Sequence, residues 1–472
     1  MEMRTLAIAS LAAGGDGVAR DEGRVTFVPR TAPGDRVRAR LVQVTKSFAR
    51  AELVSVEEPS PDRVTPPCAH FVEGCGGCTW QHVSRTAQLA AKQAIVAGAL
   101  RKLTGLTVHP IEDPAPPLGW RRRARFHVAR GQLGLYVEAS HTVLPIERCP
   151  QLEPALDVAL AAIRAASPPD GELSLLLGYR GEIVVGVARP WKLAASLIGR
   201  AGIVGVVAGA SRGSAGISSE ASDSRTSVSS DSRTSVPSDA SGTSSSASDI
   251  SGVGVIEIEP GLWGGPNDFA QASAAGNAAL VARTRAALGT ARPAATSVRS
   301  TSPVPSASAS ASSTSATSAP HRLVELYAGA GNLTRAFIAD GWSVIATDGV
   351  APARLVGTGA NAPSDATNAS SDTGSLVEHR VGPVADILAT IDGPVDAVVL
   401  DPPRAGAADA IDGIVRLSPH VIVYVSCDPA TLARDLERLI GAGYRATDAW
   451  PIDLMPQTAH VEVVVRLVRS DV

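Results

Sequence analysis

The chain opens on short runs in which apolar and polar residues alternate, set closely between glycine, proline and aspartate turns. ASLAAGGDGVAR, GRVTFVPR, DRVRARLVQV and FARAELVSV, all within residues 4–58, have the period of half-buried strands. Their spacing predicts a small antiparallel barrel. Arg36, Arg38 and Arg40 recur at every second position and so share one strand face, with Lys46 and Arg50 close behind. Such a face can meet phosphate or simply face water.

Beyond a proline-rich connection, SRTAQLAAKQAIVAGALRKL is a helical run, and GWRRRARFHVARGQLGLYV alternates cation with apolar residue after a run of arginines. Arg121, Arg122, Arg123, Arg125 and Arg130 form the densest positive cluster in the chain, with Trp120 and Phe126 among them. That combination can hold a nucleic-acid backbone and stack a base. After residue 320 the texture changes. RLVELY, SVIATD, VDAVVLDPP, VIVYVSCD and VEVVVRL are nearly continuous apolar strands, separated by helical segments such as LTRAFIAD and PATLARDLERLIGAG. This alternation predicts an α/β domain, doubly wound, with a parallel sheet covered on both faces. Three polar tracts interrupt the pattern, at 211–250, where SDSRTSV is written twice, at 290–320 and at 355–376. They lack the apolar content to fold and are expected to be flexible insertions.

With 472 residues the chain has room for two or three domains. It is 44% hydrophobic but only 4% aromatic, so its cores must be local and mainly aliphatic. A net charge of −3 supplies no global basic field, and any polyanion site must come from local clusters. No apolar run reaches the ~18 residues of a membrane span, and MEMRTLAIASLAAGGDG lacks the core of a secretory signal. A cytoplasmic protein with no membrane association and no obligate protein partner is expected. The five cysteines, Cys68, Cys75, Cys78, Cys149 and Cys427, are too few and too uneven for a disulfide scaffold, which leaves metal binding or catalysis.

In the α/β third, the first strand runs into ELYAGAGNLT, where Gly329 and Gly331 allow a tight turn and close approach of a ligand to the backbone. Thr334 stands where a dinucleotide fingerprint has its third glycine, so a pyrophosphate is disfavoured. Asp348 ends the next strand, placed to accept from ribose hydroxyls. A glycine loop and a ribose acid without a phosphate cradle fit S-adenosylmethionine. Asp401 and Cys427 end two further strands, so all three are expected at one crevice. Asp428 and Pro429 look like the N-cap and first turn of a helix, a position that favours thiolate at Cys427, although the Asp428 carboxylate opposes it.

A methyl donor beside a cysteine suggests methylation at C5 of a pyrimidine, because a thiolate added at C6 makes C5 nucleophilic. A base must then remove the C5 proton, and Glu462 in MPQTAHVEVVVRL is the candidate, the alternative being a surface acid on an edge strand. Cys68, Cys75, Cys78 and Cys149 can converge only through folding; their thiolates suit zinc or an iron-sulfur cluster, and the spacing does not choose between them.

CAHFVEGCGGCTWQH, WRRRARFHV, ELYAGAGNLT, VLDPPRAG, YVSCDPATLARDL and QTAHVEVV occur in the order found in a known family. Through them the chain resembles the S-adenosylmethionine-dependent RNA uracil-5-methyltransferases. The resemblance implies a TRAM barrel for RNA binding at 1–60, a central α+β domain bearing a [4Fe-4S] cluster at 61–265, and a class I methyltransferase domain at 266–472. It implies Cys427 as nucleophile, Glu462 as general base, and Cys68, Cys75, Cys78 and Cys149 as cluster ligands. Donor binding falls to Gln271, Tyr327, Asn332, Asp348 and Asp401, with Asp386 at the adenine. Ala328 replaces a frequent cysteine, Asp348 a commoner glutamate, and Ser273 the usual asparagine two positions after Gln271.

The resemblance implies RNA as the partner, with ribosomal RNA favoured over transfer RNA. A catalytically degenerate RNA-binding protein is the alternative from another class, and Cys427, Asp401 and Glu462 together oppose it. The Pro-Cys-Gln motif of DNA cytosine-5-methyltransferases is missing, as is the cysteine spacing of radical methylthiotransferases.

Overall fold

The computed structural model describes residues 2–209, 250–289, 321–351 and 376–470. The three polar tracts at 211–250, 290–320 and 355–376 lie outside the described residues except at Ile250 and Leu376. Alternation in the first segment produces β1 (Met3–Leu11), β2 (Gly17–Asp21), β3 (Arg24–Val28), β4 (Arg36–Val44) and β5 (Phe48–Glu58). They close as a barrel in the order β1-β2-β3-β5-β4 around Leu6, Ile8, Val28, Val37 and Ala49. One pairing, β3 with β5, is parallel, so the barrel is not purely antiparallel. Arg36, Arg38 and Arg40 share the exposed face of β4. Arg40 pairs with Glu52 at 2.5 Å and Arg36 lies near Glu57 and Glu58, which offsets part of that charge.

The next segment begins with α1 (Ala69–Val72), α2 (Arg85–Leu100) and β6 (Thr107–Val108). It continues through β7 (Arg123–Ala129), β8 (Gln132–Tyr136), β9 (Val143–Pro145), α3 (Pro154–Ala165), β10 (Gly171–Leu177), β11 (Ile183–Val187), α4 (Ala194–Leu197), β12 (Ile203–Ala208) and β13 (Ile250–Gly252). The strands from β7 on form one sheet ordered β13-β12-β11-β10-β7-β8-β9, on which α3 buries Leu156, Leu160 and Ile163 completely. A small hairpin, β14 (Ile256–Glu259) and β15 (Leu262–Gly264), leads out of it.

The α/β unit comprises α5 (Ala274–Leu288), β16 (Arg322–Leu326), α6 (Thr334–Ala339), β17 (Ser343–Asp348), β18 (Val377–Val381), α7 (Val384–Ala389), β19 (Ala397–Leu400), α8 (Ile411–Leu417), β20 (Val421–Ser426), α9 (Pro429–Gly441), β21 (Tyr444–Ile452) and β22 (Glu462–Arg469). Its sheet runs β18-β17-β16-β19-β20-β22-β21-β6. The first five strands are parallel, whereas β22 is antiparallel to both neighbours, so the sheet is mixed. Every residue of β20 is buried, as expected for a strand covered on both faces. α2 and β6 leave the central segment to join this unit: Val96 and Leu100 enter its core and β6 adds to the sheet edge beside β21. Among the described residues no helix is long and apolar enough to cross a membrane.

Asp435, fully buried on α9, accepts from the Tyr424 hydroxyl and from the Ala407 amide, each at 2.7 Å, tying β20 to the turn that follows β19. Arg434 flanks the same carboxylate at 2.8 Å. Asp435→Ala would leave a buried hydroxyl, an amide and a guanidinium short of a partner. A loss of about 2–4 kcal/mol is expected, read as a lower urea midpoint with an unchanged slope.

Candidate functional site

The carboxyl ends of β16, β17, β19 and β20 share one edge of the sheet, and the side chains expected to act there come together at it. After β16 the chain turns through Tyr327, which takes a left-handed backbone (φ 61°), and through Gly329 and Gly331 (φ 56° and 87°). Asp348 closes this turn: one carboxylate oxygen accepts from the Gly329 amide at 2.8 Å, the other from Val350 at 3.0 Å. The Tyr327 hydroxyl donates to Asp409 at 3.1 Å. Under the turn, Glu325 is buried and accepts from Thr334 at 2.6 Å; burial pushes its carboxyl up to about 8.

Asn332 is held by a reciprocal amide pair with Asn277 of α5, at 2.9 and 2.7 Å, and Asn277 also donates to Glu259 at 2.8 Å. Ser273 accepts from the Gly276 amide at 3.0 Å and so caps α5. Gln271 sits just before α5, its carbonyl receiving Arg122 Nε at 3.1 Å. Asp386 is exposed in the first turn of α7.

Cys427 follows β20, and Asp428 caps α9 by accepting from the Ala430 and Thr431 amides, both at 2.9 Å. Ser426 pairs with Val463 in the antiparallel ladder, so continuing the register by one residue sets Cys427 opposite Glu462. Glu462 is not on an edge. β22 lies between β20 and β21, and Glu462 is 6% exposed. Burial pushes the Cys427 thiol up to about 12, helped by Glu462 and Asp401 and opposed by Arg404. Burial likewise raises Asp401 to about 7 and lifts Glu462 well above the usual carboxylate range. The helix start does not yield a resting thiolate, because Asp428 occupies its amides and desolvation outweighs the one nearby guanidinium. Arg404 itself lies against the His460 ring at 3.2 Å. Arg404, His460, Asn277, Glu259 and Asp409 escape sequence reasoning, since none has a diagnostic spacing; Arg404 inside VLDPPRAG and His460 inside QTAHVEVV sit in motifs beside a candidate reactive residue.

A second assembly lies in the central unit. Cys68, Cys75, Cys78 and Cys149 line one cavity of about 70 Å³ with Gln81, Arg121 and Gln151. Cys68 precedes α1, Cys75 bridges to Val137 beside β8, and the Cys149 amide is fixed by Asp157 at 3.0 Å. Burial pushes Cys75 up to about 11 and Cys78 up to about 12. Among the described residues no three His, Cys, Asp or Glu side chains are drawn tightly enough to hold a single metal ion.

The arginine segment corrects one expectation. Trp120 and Phe126 are 3% and 1% exposed and so cannot stack a base, and Arg122 is buried against Glu259 at 2.6 Å. Arg121 instead lines the cysteine cavity and lies over the Trp120 ring.

Residues 3–54 match the model of the TRAM domain, and residues 387–470 that of the tRNA (Uracil-5-)-methyltransferase family. The 23S rRNA (uracil(1939)-C(5))-methyltransferase RlmD of Pseudomonas entomophila is 31% identical over 97% of this chain and 92% of its own. An uncharacterized RNA methyltransferase of Thermosynechococcus vestitus is 29% identical over 98% of both chains. The solved tRNA (uracil-54, C5)-methyltransferase of Pyrococcus abyssi, in complex with S-adenosyl-L-homocysteine, shares the fold at a TM-score of 0.66 and 20% identity, covering 98% of this chain and 100% of its own.

With its thiol raised to about 12, Cys427 of the ligand-free protein should react slowly with iodoacetamide at pH 8 and faster at each step to pH 10 without levelling. Arg404 is the cation that lowers this pKa, so Arg404→Gln should raise it further and slow alkylation at pH 9 by roughly threefold.

Proposed function

The chain belongs to the RNA uracil-5-methyltransferase family, and on that premise we propose that it methylates C5 of a uridine through a covalent bond between Cys427 and C6 of the ring. S-adenosylmethionine is the methyl donor. The observation that carries the reading is the meeting of Cys427, Glu462 and Asp401 at the sheet edge that also bears the glycine turn.

Cys427 as thiolate adds to C6, and the electron pair of the C5–C6 double bond moves toward C4 and O4, leaving C5 nucleophilic. C5 takes the methyl group, and the donor leaves as a neutral thioether. Glu462 as carboxylate removes the C5 proton; the electron pair returns to re-form the double bond and expels Cys427. Asp401, raised to about 7, is the acceptor the pocket offers for the thiol proton. Cys427, Asp401 and Glu462 all resist ionisation in this pocket, and a sulfonium held among them would lower the pKa of each. Nucleophile and base are therefore most active when the donor is in place. Gln271, Tyr327, Asn332, Asp348 and Asp401 bind that donor, and Asp386 approaches its adenine.

Cys68, Cys75, Cys78 and Cys149 would hold a [4Fe-4S] cluster, since four soft sulfur donors line one cavity. A cluster there would tie α1, the 75–78 turn and Cys149 together. Ribosomal RNA is the favoured substrate, in keeping with the name of the Pseudomonas relative, a 23S rRNA methyltransferase, and the enzyme works in the cytoplasm. The exposed arginines of β4 serve RNA binding by the barrel.

Incubated with 5-fluorouridine-substituted ribosomal RNA and donor, wild-type protein should form an adduct that survives denaturing electrophoresis, because fluorine cannot leave as a proton. Cys427→Ala should form none. Glu462→Gln should lose about 10²–10⁴-fold in turnover and accumulate adduct on ordinary uridine. Absence of adduct in wild type that still binds donor would sink the mechanism, and adduct with transfer RNA alone would redirect the substrate. Anaerobically purified protein should contain iron and acid-labile sulfide in equal amounts; a single zinc in their place would reject the cluster.

A further inference from the structure

The two reacting side chains are supported by different parts of the molecule. Cys427 rides on β20 and α9 inside the sheet. Glu462 follows a loop, 453–461, whose hydrogen bonds outward run largely to the central segment. Gln457, in a left-handed conformation (φ 66°), offers its carbonyl to the Thr79 and Trp80 amides, both at 3.0 Å. The Ala459 amide donates to Thr79 Oγ1 at 3.1 Å. Gln88, fully buried on α2, donates to Gln457 Oε1 at 2.9 Å and accepts from the Gln457 amide at 3.1 Å. At the start of the loop Lys92 donates to Asp453 at 2.6 Å and to the Met455 carbonyl at 3.1 Å. Thr79 directly follows Cys78, and Trp80 Nε1 reaches back to the Gly15 carbonyl in the barrel at 2.8 Å.

We propose that Thr79 and Gln88 are positioning residues for the general base, clasping Gln457 and Ala459 so that Glu462 faces C5 of the ring. A left-handed non-glycine residue is costly unless its surroundings hold it, and here two amides, a buried carboxamide and a threonine hydroxyl do so. Neither Thr79 nor Gln88 is among the groups at the reacting edge. Their influence passes through three residues of chain, from Ala459 to Glu462. Releasing the clasp therefore impairs the step that uses Glu462, removal of the C5 proton, and spares addition of Cys427 and methyl transfer.

The proposal rests on Glu462 being the base, and the test separates the two. Thr79→Val, Thr79→Ser and Glu462→Gln in the full chain are compared with wild type on ordinary uridine RNA, measuring kcat, KM for RNA and donor, melting temperature, and the fraction of protein held as covalent adduct. Thr79→Val should lower kcat by about tenfold, with both KM values within about twofold, since a misplacement of the order of 1 Å is enough for such a loss. It should accumulate adduct as Glu462→Gln does, and Thr79→Ser should restore turnover by restoring the acceptor. Unchanged turnover in Thr79→Val, or a loss without adduct while Glu462→Gln accumulates it, would overturn the clasp. If Glu462→Gln accumulates none, the base assignment falls and the clasp with it. Gln88→Glu, which keeps the shape and the acceptor but removes the donor to Gln457 and to the Trp80 and Val83 carbonyls, provides the second variant and should show the same adduct, and its absence would overturn the part given to Gln88.

Discussion

The antiparallel insertion of β22 between β20 and β21 is the constraint on which the reacting geometry depends. In a wholly parallel sheet, only residues following strands collect at the carboxyl edge. A reversed strand contributes its first residue to that edge instead. β22 is eight residues long, so at about 3.3 Å per residue the opposite orientation would carry Glu462 some 25 Å from Cys427. The ladder from Val421–Val468 to Ser426–Val463 fixes the register, and a slip of one residue would turn Glu462 to the other face. Near-continuous burial of both strands makes that slip expensive. The same apolar packing that stabilises the sheet thus sets two polar side chains against each other.

That placement has an electrostatic consequence. Cys427, Asp401 and Glu462 share a desolvated pocket with Arg404 as its counter-cation, and burial raises the pKa of all three. Burial therefore favours the neutral form of the Cys427 thiol. The N-terminus of α9 would normally favour thiolate, yet Asp428 takes its free amides at 2.9 Å. The cap stabilises the helix and withholds the dipole from Cys427, so in the proposed reaction its ionisation would rely on positive charge brought by the donor.

Much of this was legible in the sequence. Alternation exposed the barrel, continuous apolar runs exposed the sheet, and Asp428-Pro429 marked the start of α9, because each pattern is local and repeats the period of the element it forms. The four cysteines were readable as a set, although only folding could bring Cys149 to the others. Long-range choices were not legible. Nothing local in VEVVVRL reveals that β22 runs backwards or that Glu462 is interior. Trp120 and Phe126 resembled a stacking surface because an alternating strand has two faces and sequence does not say which is inward. Asn277 was not legible because its partner Asn332 lies 55 positions away and only folding brings the two amides together.

The central segment contributes more than a cysteine site. α2 and β6 cross into the methyltransferase unit, where β6 extends the sheet and Lys92 sits wholly buried against Asp453. Burying an ion pair is poor economy for stability alone, since desolvation offsets most of the attraction. Such a pair is selective, however. Lys92 satisfies Asp453 in one docking position, and Arg85 takes the second oxygen at 2.5 Å. An apolar contact would tolerate sliding of α2 along the sheet, whereas this arrangement leaves a buried charge unpaired if the helix moves. The docking of α2 is therefore defined to within a hydrogen bond, and the loop that carries Glu462 inherits that definition. Glu462, the proposed base, is held by contacts outside the α/β unit, so the integrity of the central segment and the geometry of the sheet edge are one physical problem.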